Sequence, residues 1–226
     1  MRPTPRFPVV PPLAPTRGNA CSRAFGRLLV RALGWRIEGD LPNRPKLVLI
    51  AAPHTSTADI IVGVACKVAL GVRISWLGKH TVHKGALGWL LRYLGAIPVD
   101  RTAPHGVVGE LIRRFETQPA LWLGLAPEGT RRRVTRWRTG FYRVALGAGV
   151  PIATVALDYR DRTARVSPPL DPTGDYAADV RALSSRFSSA MAFRPERYAD
   201  PEAAPPAARS PVEARGAAGG VEGGRR

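Results

Sequence analysis

A histidine and an aspartate, His54 and Asp59, follow an apolar run closely, and their side-chain types suit proton transfer. The run Leu47–Ala52, with the sequence LVLIAA, is typical of a buried strand. A histidine at a strand end can take up a proton near neutral pH, and a carboxylate on its second ring nitrogen fixes the tautomer and stabilises the cation. The pair therefore predicts a general base that turns a hydroxyl group into a nucleophile.

The step of five residues from His54 to Asp59 places a condition on the local structure. On one continuous helix, side chains five positions apart point about 140° away from each other. We therefore expect His54 to lie in the turn before the helix that carries Asp59. Pro53 and the run Thr55–Thr57 favour this arrangement, because they suit a strand exit and a helix N-cap.

A second polar cluster follows the short apolar run at 96–99 and ends in Asp100 and Arg101. The planar guanidinium of Arg101 suits a bidentate contact with phosphate. A surface ion pair with Asp100 is the alternative.

The third cluster is Glu128, Gly129, Thr130 and Arg131, again after an apolar run. Gly129 permits a tight turn and a close approach of the backbone to a ligand. Thr130 offers a hydroxyl group and Arg131 a second cation. Since a carboxylate does not bind phosphate, we expect Glu128 to orient an arginine or a substrate hydroxyl, or to cap a helix.

The elements that must position these clusters alternate along the chain. Apolar runs predict strands at 46–52, 72–77, 96–99, 120–126 and 151–157. Helical periodicity predicts helices at 56–70, 83–94, 104–117, 138–148 and 176–193. This alternation indicates a single α/β domain with a largely parallel, mixed sheet flanked by helices. Ligands of such sheets bind outside the carboxyl ends of the strands, which the polar clusters follow.

An amphipathic helix is predicted for residues 22–35. Its apolar side comprises Phe25, Leu28, Leu29, Ala32 and Leu33, and its basic side comprises Arg23, Arg27 and Arg31. Two interpretations are open. The helix covers the core of its own domain, or it lies in a membrane interface with its arginines on anionic headgroups.

Composition predicts one domain with two disordered terminal segments. Residues 1–18 are rich in proline, and residues 199–226 are rich in Ala, Gly, Pro, Glu and Arg without periodicity, so we expect both segments to be disordered. Residues 19–198 then form the domain, with a catalytic core at about 46–160.

The formal net charge of +17 favours anionic partners such as phosphates or a lipid surface. Nucleic acid is not expected as a partner, because no nucleic-acid-binding motif accompanies the charge. The basic run 131–138 is either a solvated loop or a contact to headgroups or donor phosphates, with Trp137 at the interface.

Cys21 and Cys66 form neither a metal-ligand spacing nor a disulfide framework, which suits a reducing compartment. His80, His83 and His105 form no metal-binding pattern, so we expect no metal and no cofactor. The N-terminus lacks an apolar stretch of secretory type, and we therefore expect a cytoplasmic protein.

In order and spacing, the clusters resemble the motifs of the lysophospholipid and glycerolphosphate acyltransferases, over about Lys46 to Tyr159. The resemblance also includes Gly78-Lys79 and the stretch 84–95. It implies that His54 is the general base and Asp59 its partner. It further implies that the phosphate and glycerol portion of the acceptor is bound by Arg101, Glu128, Gly129, Thr130 and Arg131. Two positions differ from the family pattern: Pro53 replaces an asparagine, and Ala126 replaces a phenylalanine.

The resemblance implies transfer of a fatty acyl group from acyl-CoA or acyl carrier protein to a lysophospholipid, foremost 1-acylglycerol-3-phosphate. The donor is a co-substrate, and peripheral association with the inner face of the cell membrane is expected. Other acceptors remain open, namely lysophosphatidylglycerol, a lyso-ornithine lipid or a glycolipid. A basic membrane-binding module without catalysis is the alternative outside enzymes.

Overall fold

A computed structural model describes residues 7–78, 85–98 and 106–201. The helices of this part are α1 (Ala20–Ala32), α2 (Ala58–Leu70), α3 (Gly85–Tyr93), α4 (Gly106–Thr117), α5 (Gly140–Ala148) and α6 (Tyr176–Ser184). The strands are β1 (Arg36–Glu38), β2 (Lys46–Ala52), β3 (Ile74–Gly78), β4 (Ala96–Pro98), β5 (Leu121–Leu125), β6 (Ile152–Asp158) and β7 (Thr163–Leu170). Two 3-10 helices follow, at Ser189–Met191 and Pro195–Arg197.

One sheet with the strand order β1-β7-β6-β2-β5-β3-β4 forms the centre of the domain. The strands from β6 to β4 are parallel to one another. At the other edge, β7 pairs antiparallel with β6, and β1 pairs parallel with β7. The predicted α/β domain with a largely parallel, mixed sheet is therefore confirmed.

Strand β2 is apolar on both faces because helices cover both faces of the sheet. Leu47 and Leu49 pack in a cluster with α1 and α2. Val48 and Ile50 point the other way, into a cluster with α4, α5 and α6. Since successive side chains of a strand alternate between faces, a centrally placed parallel strand requires this unbroken apolar sequence.

Helix α1 is capped by Asn19, whose side chain accepts a hydrogen bond from the Ser22 backbone N–H at 2.9 Å. The helix packs antiparallel on α2. Gly26 lies so close to α2 that an added Cβ atom would stand 2.4 Å from the Ala69 nitrogen. Arg23, about one turn earlier in α1, lies beside Gly71, the residue that follows the C-terminus of α2. The two helices therefore run in opposite directions where they touch.

The apolar side of α1 faces outward. The helix turns Gly26 and Val30 toward the domain, while Phe25 and Leu28 are 60% and 62% exposed. Leu29 and Leu33 are exposed as well. Helix α1 therefore does cover the core of its own domain, but through a narrow edge with Gly26 and Val30 rather than through the predicted apolar side.

Two strands and one helix end differ from the sequence prediction. β1 has three residues and β7 contains two prolines, so neither shows the long apolar run of a central strand. The helix predicted at 176–193 ends at Ser184. The hydroxyl groups of Ser184 and Ser185 bond back to the carbonyl oxygens of Arg181 and Ala182, as serines that compete with helical hydrogen bonding do.

The expectation of disorder is wrong for residues 7–18, which lie against the domain. Ala14 is buried, the Arg17 N–H donates to the Gly71 carbonyl at 2.8 Å, and Thr16 forms a bridge to Val72. Proline prevents a helix here but allows an extended chain to pack on a surface. Residues 1–6 and the tail beyond residue 201 lie outside the described residues. No helix in the described ranges has both the length and the apolar character needed to cross a bilayer.

Candidate active site

The candidate site lies where the carboxyl ends of β2, β5 and β6 meet. β2 lies between β5 and β6 and is parallel to both, with Ile50 opposite Leu125 and Ala52 opposite Ala156. The residues that follow these three strands therefore arrive at one edge of the sheet. In open α/β sheets this edge is the usual place for a ligand.

His54 lies in the turn between β2 and α2, as its spacing from Asp59 predicts. Its Nδ1 atom stands 3.3 Å from Asp59 Oδ2. The same Oδ2 atom accepts the backbone N–H groups of Thr55 and Ser56, each at 2.8 Å. The carboxylate thus holds both the imidazole and the backbone of the turn in place.

This contact fixes the chemistry available at the imidazole. The adjacent carboxylate favours a proton on Nδ1, which leaves Nε2 with the free lone pair that accepts a proton. The side chain is partly exposed, so a substrate hydroxyl has access to it. A buried carboxylate beside a reachable imidazole is an arrangement for general-base catalysis.

The pKa of Asp59 reflects its partners. Burial acts to raise the pKa, but interactions with the His54 side chain, the Ser56 N–H and the Tyr159 hydroxyl outweigh burial, so the pKa lies below the usual aspartate value. Asp59 therefore stays ionised at neutral pH and stabilises a cation on His54.

Glu128 is buried beneath the turn 54–57 of the candidate site, called the catalytic turn below, with 5% of its surface exposed. Its two carboxylate oxygens accept the His54 backbone N–H at 3.0 and 3.1 Å. Burial raises the pKa of Glu128 to about 7, against the opposing effect of this hydrogen bond. The carboxylate of the third cluster thus holds the backbone of the first, a contact that its spacing in the sequence does not indicate.

The remaining residues of the third cluster form a tight turn. Gly129 has a φ of +66°, a conformation that favours glycine, and its N–H donates to the Ala126 carbonyl at 3.1 Å. The Thr130 hydroxyl accepts the Arg132 N–H at 3.3 Å. The exposed Arg131 guanidinium donates to the Thr57 hydroxyl and so lies beside the catalytic turn.

Arg101, the residue expected to bind phosphate from the second cluster, lies outside the described residues. Trp137 does not lie at an interface as one interpretation held, since it is 3% exposed and packs against Phe141 and Phe187 in the core. Within the described ranges, no group of three histidine, cysteine, aspartate or glutamate side chains stands close enough to hold a metal ion.

Tyr159 is a further site residue that motif reasoning missed. It directly follows β6, and this position was the available signal. Its buried hydroxyl lowers the pKa of Asp59, and burial with this carboxylate raises the pKa of Tyr159. No hydrogen bond joins the two side chains directly, and among the described residues neither the Tyr159 hydroxyl nor Asp59 Oδ1 has a hydrogen-bond partner.

A second missed feature is the segment Ser188–Tyr198, here called the C-terminal strap. It contains both 3-10 helices and crosses the catalytic turn. The Arg194 N–H donates to the Thr55 hydroxyl at 3.2 Å. The predicted helix at 176–193 concealed this segment.

Comparison with known proteins matches residues 36–158 to the family model described as Acyltransferase. The chain is 28% identical over 152 residues to a 1-acyl-sn-glycerol-3-phosphate acyltransferase of Haemophilus influenzae, covering 62% of this chain and 61% of the relative. It is 30% identical over 124 residues to the Escherichia coli protein of the same name, covering 47% and 49%. It is 30% identical over 162 residues to human lysophospholipid acyltransferase LPCAT4, covering 66% and 29%. The chain thus spans less than two thirds of each of these relatives.

The fold is also similar to a solved structure, that of the 1-acyl-sn-glycerophosphate acyltransferase PlsC from Thermotoga maritima. The TM-score is 0.50 at 18% identity, over 67% of this chain and 68% of the other. At this identity the similarity concerns the fold.

Proposed function

Because this chain belongs to the acyltransferase family, whose model matches residues 36–158, we propose that it transfers a fatty acyl group from a thioester to a lysophospholipid hydroxyl. The proposed acceptor is 1-acylglycerol-3-phosphate, the compound in the names of two bacterial relatives. The observation that supports the proposal most directly is the 3.3 Å contact between His54 Nδ1 and Asp59 Oδ2.

In the proposed reaction, His54 Nε2 removes the hydroxyl proton as the acceptor oxygen attacks the thioester carbonyl carbon. The tetrahedral intermediate then collapses, the carbon–sulfur bond breaks, and the leaving thiolate takes the proton from the imidazolium. The products are the diacylated lipid and a free thiol. Asp59 stabilises the transient imidazolium, and Glu128 holds the backbone of His54 so that Nε2 keeps its position.

The acceptor phosphate needs cationic partners near this base. Arg131, at the edge of the catalytic turn, is one candidate, and Arg101 is expected to be another. Thr130 and Gly129 shape the turn that presents Arg131. Anchoring the phosphate converts an encounter of two molecules into an oriented reaction, which supplies much of the rate.

A thiol-release assay with acyl-CoA and 1-acylglycerol-3-phosphate tests the proposal. We expect His54→Gln to lose at least a hundredfold in turnover, in line with the size of general-base catalysis. Ser56→Ala is the matched control, because the Ser56 hydroxyl accepts the Ala58 N–H at 3.2 Å and has no role in the proposed transfer. Full turnover in His54→Gln, or its loss in Ser56→Ala, would contradict the mechanism.

We further propose that α1 holds the protein on an anionic membrane surface. The exposed residues Phe25, Leu28, Leu29 and Leu33 form an outward apolar face. Arg23, Arg27 and Arg31 lie along one border of this face, where they would meet anionic headgroups. The proposed membrane-facing surface also includes the exposed Ile60 and Ile61 of α2, next to Asp59. This attachment corresponds to the expected peripheral association with the inner face of the cell membrane.

Co-sedimentation with phosphatidylglycerol vesicles measures this attachment. We expect Leu28→Glu to release the protein into the supernatant, and high salt to weaken binding of the unchanged protein. Glu116→Gln, at the end of α4 on the other side of the sheet, is the control that should still bind. Equal sedimentation of Leu28→Glu and the unchanged protein would contradict attachment through α1.

The likeness to human LPCAT4, a lysophospholipid acyltransferase by name, supports a wider acceptor range as a second candidate function. A panel of lysolipids with acyl-CoA and acyl carrier protein as donors separates the two. Preference for 1-acylglycerol-3-phosphate by tenfold or more in kcat/KM supports the first candidate.

A further inference from the structure

The C-terminal strap brings an arginine to the catalytic turn from a distant part of the chain. Arg194 lies 139 positions beyond Thr55, and its backbone N–H donates to the buried Thr55 hydroxyl at 3.2 Å. Thr55 in turn follows His54 and donates its own N–H to Asp59 at 2.8 Å. The backbone of Arg194 is therefore one hydrogen bond away from the loop that presents the base.

The strap is fixed in this position by its own packing. Ala192 and Tyr198, on either side of Arg194, are both buried in the core. The Tyr159 N–H donates to the Met191 carbonyl at 2.9 Å, and the Phe193 ring lies 5.0 Å from the Tyr159 ring. Anchoring on both sides holds the Arg194 backbone beside the turn 54–57, so its side chain starts next to this turn.

The Arg194 guanidinium has no acidic partner in the described part of the chain. The residue is exposed, and it forms no ion pair there, not even with the exposed Glu196 of the strap. The two carboxylates nearest to the turn, Asp59 and Glu128, are buried and bound to His54. Arg131 approaches the same turn at Thr57.

We propose that Arg194 is a phosphate-binding residue of the active site, acting with Arg131 on the two sides of the turn 54–57. This inference rests on the proposed function for its setting. A guanidinium suits phosphate because its planar fork donates two parallel hydrogen bonds to two phosphate oxygens. The phosphate comes either from the acceptor lipid or from the nucleotide end of a coenzyme A donor.

The test compares Arg194→Gln with Arg197→Gln, which removes another exposed arginine, at the end of the 3-10 helix that follows Arg194, without a contact to Thr55. We expect Arg194→Gln to raise the KM of one substrate on the order of tenfold with little change in kcat. A raised KM for 1-acylglycerol-3-phosphate assigns Arg194 to the acceptor, and a raised KM for acyl-CoA assigns it to the donor. Arg194→Lys should restore part of the loss, and equal melting temperatures exclude a folding defect.

Binding measurements without turnover keep this inference separate from the proposed function. Glycerol 3-phosphate represents the acceptor head, and adenosine 3′,5′-bisphosphate represents the donor end. If the unchanged protein binds either probe in a manner that depends on Arg194 but transfers no acyl group, the inference stands and the proposed function fails. If Arg194→Gln and Arg197→Gln behave alike in both KM values and with both probes, the inference is overturned.

Discussion

Glu128 holds the backbone N–H of His54 between its two carboxylate oxygens, at 3.0 and 3.1 Å. The two residues are 74 positions apart and come from neighbouring parallel strands. The position of the base therefore depends on the register of β2 and β5 as well as on its own turn. The same contact keeps an acidic group out of water, and burial of this group lowers the stability of the protein as the pH rises.

Glu128→Gln should remove a pH-dependent loss of stability. Because the folded-state pKa is raised from 4.5 to about 7, the folded protein holds a proton that the unfolded chain releases earlier. The unchanged protein therefore loses stability as the pH rises from about 4.5 to about 7, by about 3 kcal/mol at most. Denaturant unfolding at pH 4, 6 and 8 measures this.

Relative to the unchanged protein, we expect Glu128→Gln to gain stability progressively from pH 4 to pH 8. Glu110→Gln is the control, since Glu110 pairs with Arg114 at 2.7 Å on the surface of α4. If the difference in unfolding free energy between Glu128→Gln and the unchanged protein stays constant across this range, the pKa of Glu128 is not raised.

Tyr159→Phe should weaken the support of Asp59 without disturbing the ring contacts to Trp35 and Phe193. The hydroxyl is one of the groups that lower the pKa of Asp59, so its loss raises that pKa and lowers the stability at neutral pH. A lowered aspartate pKa stabilises the fold above the unfolded value and ceases to do so as the pH falls through the folded value. The deficit should therefore shrink in acid, as urea unfolding at pH 7 and pH 3 would show.

The matched control for this change is Tyr176→Phe, which removes a hydroxyl at 3.4 Å from the Trp137 carbonyl, away from Asp59. A deficit in Tyr159→Phe that is as large at pH 3 as at pH 7 would mean that the hydroxyl does not act through Asp59.

Gly26→Ala should push α1 away from α2, because the new Cβ atom would stand 2.4 Å from the Ala69 nitrogen. Overpacking of this kind typically costs about 1–3 kcal/mol. Gly63→Ala on α2 is the matched control, since nothing lies within 4 Å of its added Cβ atom. There alanine should stabilise the helix by about 0.5–1 kcal/mol. Melting temperatures that shift in opposite directions would bear this out, and parallel shifts would contradict the close helix contact.

Lys67→Met should loosen the connection between α2 and the segment that contains α3 and β4. The buried Lys67 ammonium donates to the carbonyl of Ile74 at 2.9 Å and to that of Leu94, and it lies 4.5 Å from the Trp76 ring centroid. Methionine fills similar space but removes the ammonium donor from two carbonyl groups, which costs about 1–3 kcal/mol.

Hydrogen exchange in residues 85–98 measures the effect of Lys67→Met directly. In these residues we expect Lys67→Met to exchange faster than the unchanged protein, whereas exchange in α5 should not change. Lys46→Met, which removes a single bond of 2.6 Å to the Phe115 carbonyl, should leave residues 85–98 unchanged. Equal protection of this segment in Lys67→Met and the unchanged protein would show that the lysine does not hold it.

Local pattern was sufficient to predict the centre of the molecule. β2 and β6 have largely apolar sequences because both are buried on both faces, and the turn after β2 carries His54 just before the helix with Asp59. Contacts between distant segments were not predictable in this way. The bonds of Glu128 to His54 and of Arg194 to Thr55 join residues 74 and 139 positions apart.

The edge strands show the same limit. β1 depends on its pairing with β7, and β7 on its pairing with β6, rather than on their own sequences. The strap depends on serines that end α6 early. A motif read along the chain identifies chemistry within a few residues, whereas strand order decides which motifs meet.

The first turn of α2 has Asp59 on its inner side and the exposed Ile60 and Ile61 beside it. One unbroken helical turn joins them, so the depth to which the isoleucines enter a lipid monolayer sets the height of the reaction centre above it. In the proposed attachment, turnover would respond to lateral pressure. Strongly curved vesicles with packing defects would then support faster transfer than flat, tightly packed ones.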